Sequence, residues 1–277
     1  MTILLIGATG KVGRRVAARL DDLGVPVRPA SRTSTVPFDW TDEATWPAVL
    51  DGARTAFVVP YDAAPVTRPF LDAAIGSGLE RIVLLSGRGV DVPDYLPAHL
   101  MKDNAHVDGE AALRSTAVDW TILRPGWFAQ NFSEGFFRDA VLAGDLRLPA
   151  GDGAASFVDV DDIAAVAVAA LTDDRHVGQT YELSGPRAVT MSEAAAEIAA
   201  ASGRDVRYTH VEHDDFVREL VDQGWPASDA DDYAHLVGAI RRGIDAYLSN
   251  GVERALGRPA RDFRDVVREA AAAGAWS

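Results

Sequence analysis

The stretch that most restricts this chain comes at its start. An apolar run over residues 2–6 passes straight into Gly-Ala-Thr-Gly-Lys-Val-Gly, residues 7–13. The run reads as a buried strand. Beyond it Val12, Val16, Ala17 and Leu20 recur at helical spacing, and Gly24 stops the helix. Gly7, Gly10 and Gly13 therefore stand in a turn between strand and helix. Glycine permits the tight turn and lets backbone N–H groups approach a pyrophosphate, while Gly13 lets the helix pack closely on the strand. A glycine trio alone says little. A strand before it and a helix after it supply the context that a dinucleotide fingerprint requires. Gly7, Thr9, Gly10, Lys11, Val12 and Gly13 are thus the expected phosphate-side contacts.

The alternation continues. Apolar runs at 25–30, 55–60, 81–87 and 119–125 read as strands, and helical patterns at 43–52, 66–78 and 99–116 separate them. Strands separated by helices predict parallel βαβ units and a Rossmann-like, doubly wound α/β sheet. After Pro125 the rhythm loosens. A helix is expected over 132–144, a short strand over 155–160, a helix over 161–171 with Asp161 and Asp162 at its positive end, and a strand over 179–186. Thr190 and Gly203 bracket a further helix. The cofactor domain is placed at 1–125, with 154–186 returning to the sheet. Residues 126–277 mainly form a smaller, mostly helical substrate-binding part.

Composition excludes some chemistry. The 277 residues contain no cysteine, so disulfides, thiolate nucleophiles and cysteine metal sites are ruled out. This suits a cytoplasmic setting. A net charge of −14 argues against nucleic acid as a partner. Neither a signal peptide nor a stretch long enough to span a bilayer is read, so no membrane partner is expected.

The second strand ends near Pro29. A site that prefers NADH carries an acid there, on the ribose 2′-hydroxyl. This chain has Ser31 and Arg32 instead, with Arg28 slightly earlier. A hydroxyl and a guanidinium suit a 2′-phosphate, so NADPH is expected over NADH. Asp39, placed after a third strand, is read as reaching the adenine amino group or as capping the next helix. Trp40 follows it, and Pro60 and Tyr61 end the fourth strand.

The segments GATGKVG, RIVLLSG, DWTILRPGWFAQNF and SFVDVDDIAAVAVAAL resemble the NmrA-like branch of the atypical short-chain dehydrogenase/reductases. The resemblance runs from residue 2 to about 205 and is less specific in the helical tail. It implies NAD(P)H binding, in a branch holding quinone oxidoreductases, redox-sensing regulators and biosynthetic reductases. The opening MTILLIGATGKV, with VPVRPASRTS and FDWTDEATW, is similar to the festuclavine/agroclavine dehydrogenases. Membership of that group implies NADPH-dependent reduction of a cyclic iminium carbon.

Ordinary short-chain dehydrogenases donate a proton from a Tyr-x-x-x-Lys tyrosine, with a serine on the preceding strand. Ser86 matches that serine. With Glu110 aligned to the acid that follows the motif, Lys102 stands in the tyrosine slot and His106 in the lysine slot. Tyr95 lies ahead of this helix. The missing dyad points away from carbonyl–alcohol chemistry and towards acceptors that take hydride without an adjacent acid, an iminium or a quinone. His106 is the leading acid–base candidate because histidine exchanges protons near neutrality; Lys102 and Ser86 are the other catalytic candidates. Tyr61, Trp127, Phe128 and Asn131, at strand ends, are read as lining the substrate pocket. Trp127 and Phe128 also fit plain core packing.

His210 and His213 stand beside acids, but H-x-x-H at a strand–helix junction focuses two ligands poorly, and no metal is expected. Asp229, Asp231 and Asp232 read as a solvated helix start. Phe216, Trp225, Tyr233 and Tyr247 can close over a substrate, pack on the sheet or make a homodimer. The main alternative to a reductase of a small molecule is a non-catalytic NAD(P) sensor that binds a partner protein. An epimerase or dehydratase ranks last.

Overall fold

The apolar run ahead of the glycine turn is strand β1 (Ile3–Ile6), whose four side chains are all buried. In the computed structural model, which describes residues 2–102 and 104–277 but not the side chain of Lys102, nine further strands follow among the described residues. They are β2 (Val27–Ala30), β3 (Thr55–Val58), β4 (Arg81–Leu85), β5 (Asp119–Pro125), β6 (Asp145–Leu148), β7 (Ala154–Ala155), β8 (Gln179–Leu183), β9 (Val189–Thr190) and β10 (Arg207–His210). Six make one parallel sheet in the order β2-β1-β3-β4-β5-β8. The chain leaves β1 for β2 on one side and then crosses to β3 on the other. That reversal opens a crevice beyond the carboxyl ends of β1 and β3.

Both sheet faces are covered, as continuous apolar strands require. Ile3 and Leu5 face Val12, Val16 and Leu20 of the helix Lys11–Asp22 and Ile163 and Val166 of the helix Val160–Thr172. Leu4 and Ile6 face the opposite layer, with Trp46, Phe70 and Leu113. A third core, including Phe132, Phe157, Phe263 and Trp276, holds the C-terminal part. There β6 pairs with β10 in parallel, and β7 with β9 antiparallel. The helix Met191–Ser202 opens on a reciprocal Thr190–Glu193 capping box and ends at Gly203, φ +70°. No helix among the described residues is long and apolar enough to cross a membrane.

Several expected elements are redrawn. No strand lies between Ala30 and Thr55 among the described residues, so Thr55–Val58 is the third strand and Asp39 sits in a turn. The helix expected over 99–116 is two helices, Ala98–Lys102 and Ala105–Arg114. The Asn104 side chain accepts from the backbone N–H groups of His106 and Val107, which starts the second helix afresh. The helix expected over 132–144 is likewise divided, into Asn131–Glu134 and Arg138–Ala143. Gly135 between them is extended, and a Cβ there would lie 2.8 Å from Lys11 Nζ. The strand expected over 155–160 shrinks to β7 and an isolated Phe128–Val158 bridge.

Candidate active site

The glycine turn is shaped by exclusion of side chains. Gly7 has φ +84°, a conformation that favours glycine. A Cβ on Gly13 would stand 2.1 Å from the Gly7 carbonyl oxygen, so nothing larger than hydrogen fits. Gly10 is the N-cap of the helix Lys11–Asp22 and supplies no side-chain acceptor, and no acid occupies the first turn. The first N–H groups of that helix thus lack the usual side-chain partners, and the positive helix end is uncompensated. Both features favour an anion there. Val12 is buried in the core, so it can contribute only its backbone. Burial and the neighbouring Arg14 hold the Lys11 ammonium below the ordinary lysine range. Lys11 Nζ donates to Asn131 Oδ1 at 3.5 Å, which ties the turn to the segment after β5.

A hollow of about 230 Å³ lies beyond the ends of β1 and β2, lined by Gly7, Thr9, Ser31, Arg32, Asp39, Trp40 and Tyr61. Ser31 Oγ shares a hydrogen bond with Ser34 Oγ at 2.9 Å and accepts from the Thr33 N–H. Arg32 is exposed. Asp39 Oδ1 accepts from the N–H and hydroxyl of Thr41, and these bonds, aided by the Arg32 charge, hold its carboxyl below the ordinary range. Asp39 is not the cap of the following helical turn; Asp42 is, accepting from the Ala44 N–H. Arg28 points elsewhere, donating to the carbonyls of Val49 and Asp51. Trp40 packs edge-on against Phe38 and Phe70.

A larger cleft of about 650 Å³ begins at Lys11, Val59 and Pro60 and follows the carboxyl ends of β4 and β5. Ser86, His106, Trp127, Phe128 and Asn131 all line it. Tyr61 does not; it lines the smaller hollow, with Gly7, Thr9 and Arg32. Ser86 Oγ donates to Glu110 Oε1 at 2.6 Å, deep in the protein. Burial alone would raise the Glu110 carboxyl, but hydrogen bonds from Arg124 and Ser86 outweigh it and hold Glu110 below the ordinary glutamate range. Arg124 grips Glu110 with two parallel bonds of 2.8 Å. His106 Nε2 lies 3.5 Å from Asp62 Oδ1, and its Nδ1 is buried with no hydrogen-bond partner among the described residues. Lys102 belongs to the preceding short helix, so it and His106 do not share one continuous helix as the motif alignment requires; its side chain lies outside the described residues.

The aromatic wall is partly core. Trp127 stacks on Phe137 with centroids 5.8 Å apart, and its indole N–H donates to Asp245 Oδ2 at 3.1 Å. Tyr95, also in the cleft, donates to Asp245 Oδ1 at 2.8 Å. Burial pushes both Asp245 and Tyr95 up, the phenol well beyond its usual range. Sequence reasoning missed Asp62, Tyr95, Arg124 and Asp245. Asp62 was within reach of the strand-end rule, two residues past Pro60. Arg124 carried a faint signal as a charge inside the apolar run of β5. Asp245 carried none, since its partners stand 150 and 118 positions away.

Comparison with known proteins agrees with this geometry. Residues 7–174 match the NAD(P)H-binding family model. The chain is 34% identical to a (4-alkanoyl-5-oxo-2,5-dihydrofuran-3-yl)methyl phosphate reductase of Streptomyces griseus, over 98% of each chain. It is 33% identical to agroclavine dehydrogenase of Claviceps fusiformis, over 97% of each. Among solved structures, the NADPH-dependent quinone oxidoreductase of Escherichia coli in complex with NADPH superposes with a TM-score of 0.82 at 26% identity, covering 97% of this chain and 99% of that one.

Proposed function

This chain belongs to the NAD(P)H-binding, NmrA-like branch of the atypical short-chain dehydrogenase/reductases and is an NAD(P)H-dependent oxidoreductase, and from that premise we propose that it uses NADPH to reduce a small iminium, quinone or enone. One observation carries the choice of acceptor. Three hydroxyls line the cleft among the described residues, and none is a ready proton donor. Ser86 and Tyr95 direct their O–H hydrogen bonds to Glu110 and Asp245, and burial pushes the Tyr233 phenol well up. A hydride acceptor that is already positive, or that spreads the incoming charge, needs no strong acid beside it. No Tyr-Lys dyad enters this reading.

The nicotinamide, when bound, supplies the hydride. The residues of the chain position it and the acceptor. The glycine turn and the open N–H groups of the first helix would hold the pyrophosphate. Ser31 and Arg32 would take the 2′-phosphate, with Asp39, Trp40 and Tyr61 around the adenosine. Pro60 and Ser86 would border the nicotinamide, Ser86 through its free lone pairs. Phe128 and the face of Trp127 would bound a flat acceptor, and Asn131 would orient it. His106, turned by Asp62, would hold or pass the proton that a reduced quinone takes up. One relative's named substrate supports the enone end of the range: a ring whose name describes a C=C bond conjugated to carbonyls. A cytoplasmic setting suits this reading.

The test is fluorescence titration with NADPH and NADH, followed by menadione, a cyclic imine and a conjugated enone. The expected outcome is at least about tenfold tighter binding of NADPH, in line with charge-assisted contacts to one phosphate, and NADPH oxidation with at least one acceptor. Tight binding with no turnover on any acceptor would sink the reductase reading in favour of a dinucleotide sensor.

A further inference from the structure

Away from the nucleotide turn, imidazoles and carboxylates gather where two C-terminal helices meet. His213 is the first residue of the helix His213–Asp222. Asp231 and His235 lie one turn apart on the helix Ala227–Arg241, so their side chains share a face. His213 Nε2 meets Asp231 Oδ1 at 2.8 Å, and His235 Nε2 stands 3.6 Å from Asp231 Oδ2. The two imidazole rings are 4.6 Å apart. All three candidate ligand atoms fall within 4.8 Å of one another.

From this arrangement we propose that His213, Asp231 and His235 form a binding site for a borderline divalent cation of the zinc type. Two neutral imidazoles and a carboxylate are the donor set such ions take. Bonds of about 2.1 Å in a tetrahedron need donors roughly 3.4 Å apart. All three side chains are about one-third to one-half exposed, at 34%, 46% and 36%, which leaves them room to draw together to that value. The carboxylate already draws one imidazole to each oxygen. The cation would replace the protons they now share, so binding releases protons and weakens in acid. The sequence pairs His213 with His210, but the fold turns His210 away: its Nδ1 accepts from the Gly151 N–H and its Nε2 faces Glu212.

The site would have a structural consequence. It joins the start of one helix to another that carries Asp232, Tyr233 and Leu236 on the cleft wall. His99, on the helix Ala98–Lys102, reaches Asp232 at 3.0 Å. A cation beside this contact would stiffen the mouth of the cleft and raise the unfolding temperature by mass action.

The experiment uses the full chain, free of any affinity tag, dialysed against EDTA, without dinucleotide or acceptor, so its result is independent of the reductase assay. Co2+ is titrated while visible d–d absorption is followed, then displaced with Zn2+. One Co2+ per chain, displacement by Zn2+, and a rise in unfolding temperature are expected, with Mg2+ failing to compete because it prefers all-oxygen ligands. His213→Ala and His235→Ala should each weaken binding by at least about tenfold, while His210→Ala leaves it unchanged. Wild-type protein that binds neither Co2+ nor Zn2+ below about 1 mM overturns the proposal. So does binding that survives both substitutions, or that is lost equally in His210→Ala.

Discussion

Ser86 and His106 border one cleft, and their neighbours divide them. Ser86 commits its proton to Glu110, whereas His106 Nδ1 has no partner among the described residues. Position after β4 made Ser86 legible in the sequence; the fate of its proton was not, because Glu110 stands 24 positions on. Arg28 is a similar case. It stands just ahead of the Ser31–Arg32 pair in the sequence, but its guanidinium serves two backbone carbonyls. If His106 passes a proton to the reduced acceptor, His106→Gln should lower kcat on a quinone by about 100-fold with NADPH affinity retained. An unchanged kcat would remove His106 from the mechanism.

Among elements, helix starts were readable where a capping residue precedes a clear apolar pattern. Thr190 with Glu193 is such a start, and the helix Val160–Thr172 another, with Asp159 as its cap and Asp161 and Asp162 in its first turn. The break at Asn104 was not readable, since apolar and small residues recur on both sides of it. That cap also sets where His106 stands in its helix. Asn104→Ala should cost about 1 kcal/mol in urea unfolding and lower kcat as well, by loosening the turn that carries His106. A stability loss with kcat intact would show that the turn holds without its cap. Asp229, Asp231 and Asp232 are exposed or half-exposed near the start of their helix, as a solvated start implies, but two of them also have partners. Asp231 and Asp232 face histidines from two other helices, contacts that no local pattern announces.

For the whole molecule, the Glu110–Arg124 pair is a central fastening. Arg124 on β5 holds Glu110 of the helix Ala105–Arg114 and also reaches Asp91 and, at 3.1 Å, Glu182 on β8. Because Glu110 titrates below its ordinary range when folded, its contribution is fully present above the unfolded value. It is lost as pH falls through the lower folded value. Glu110→Gln should therefore destabilise the protein by about 3 kcal/mol near neutrality. The gap to wild type should shrink in acid, below about pH 4.3. Urea unfolding across that window checks it; a gap that stays constant would mean the charge of Glu110 is not what matters.

The strand, glycine turn and helix at the N-terminus, and the alternation that makes a parallel sheet, were determined by sequence alone. Their causes are local: side-chain periodicity, and a turn at Gly7 and Gly13 that admits no Cβ. Tertiary structure decided that the Ser86 and Tyr95 hydroxyls are committed to Glu110 and Asp245, that Tyr61 lines the smaller hollow beside Gly7 and Thr9, and that His213 meets Asp231 rather than His210. Each depends on residues brought together from distant parts of the chain. Hydrogen bonding and burial act over a few ångströms of space, and separation along the sequence does not register in them.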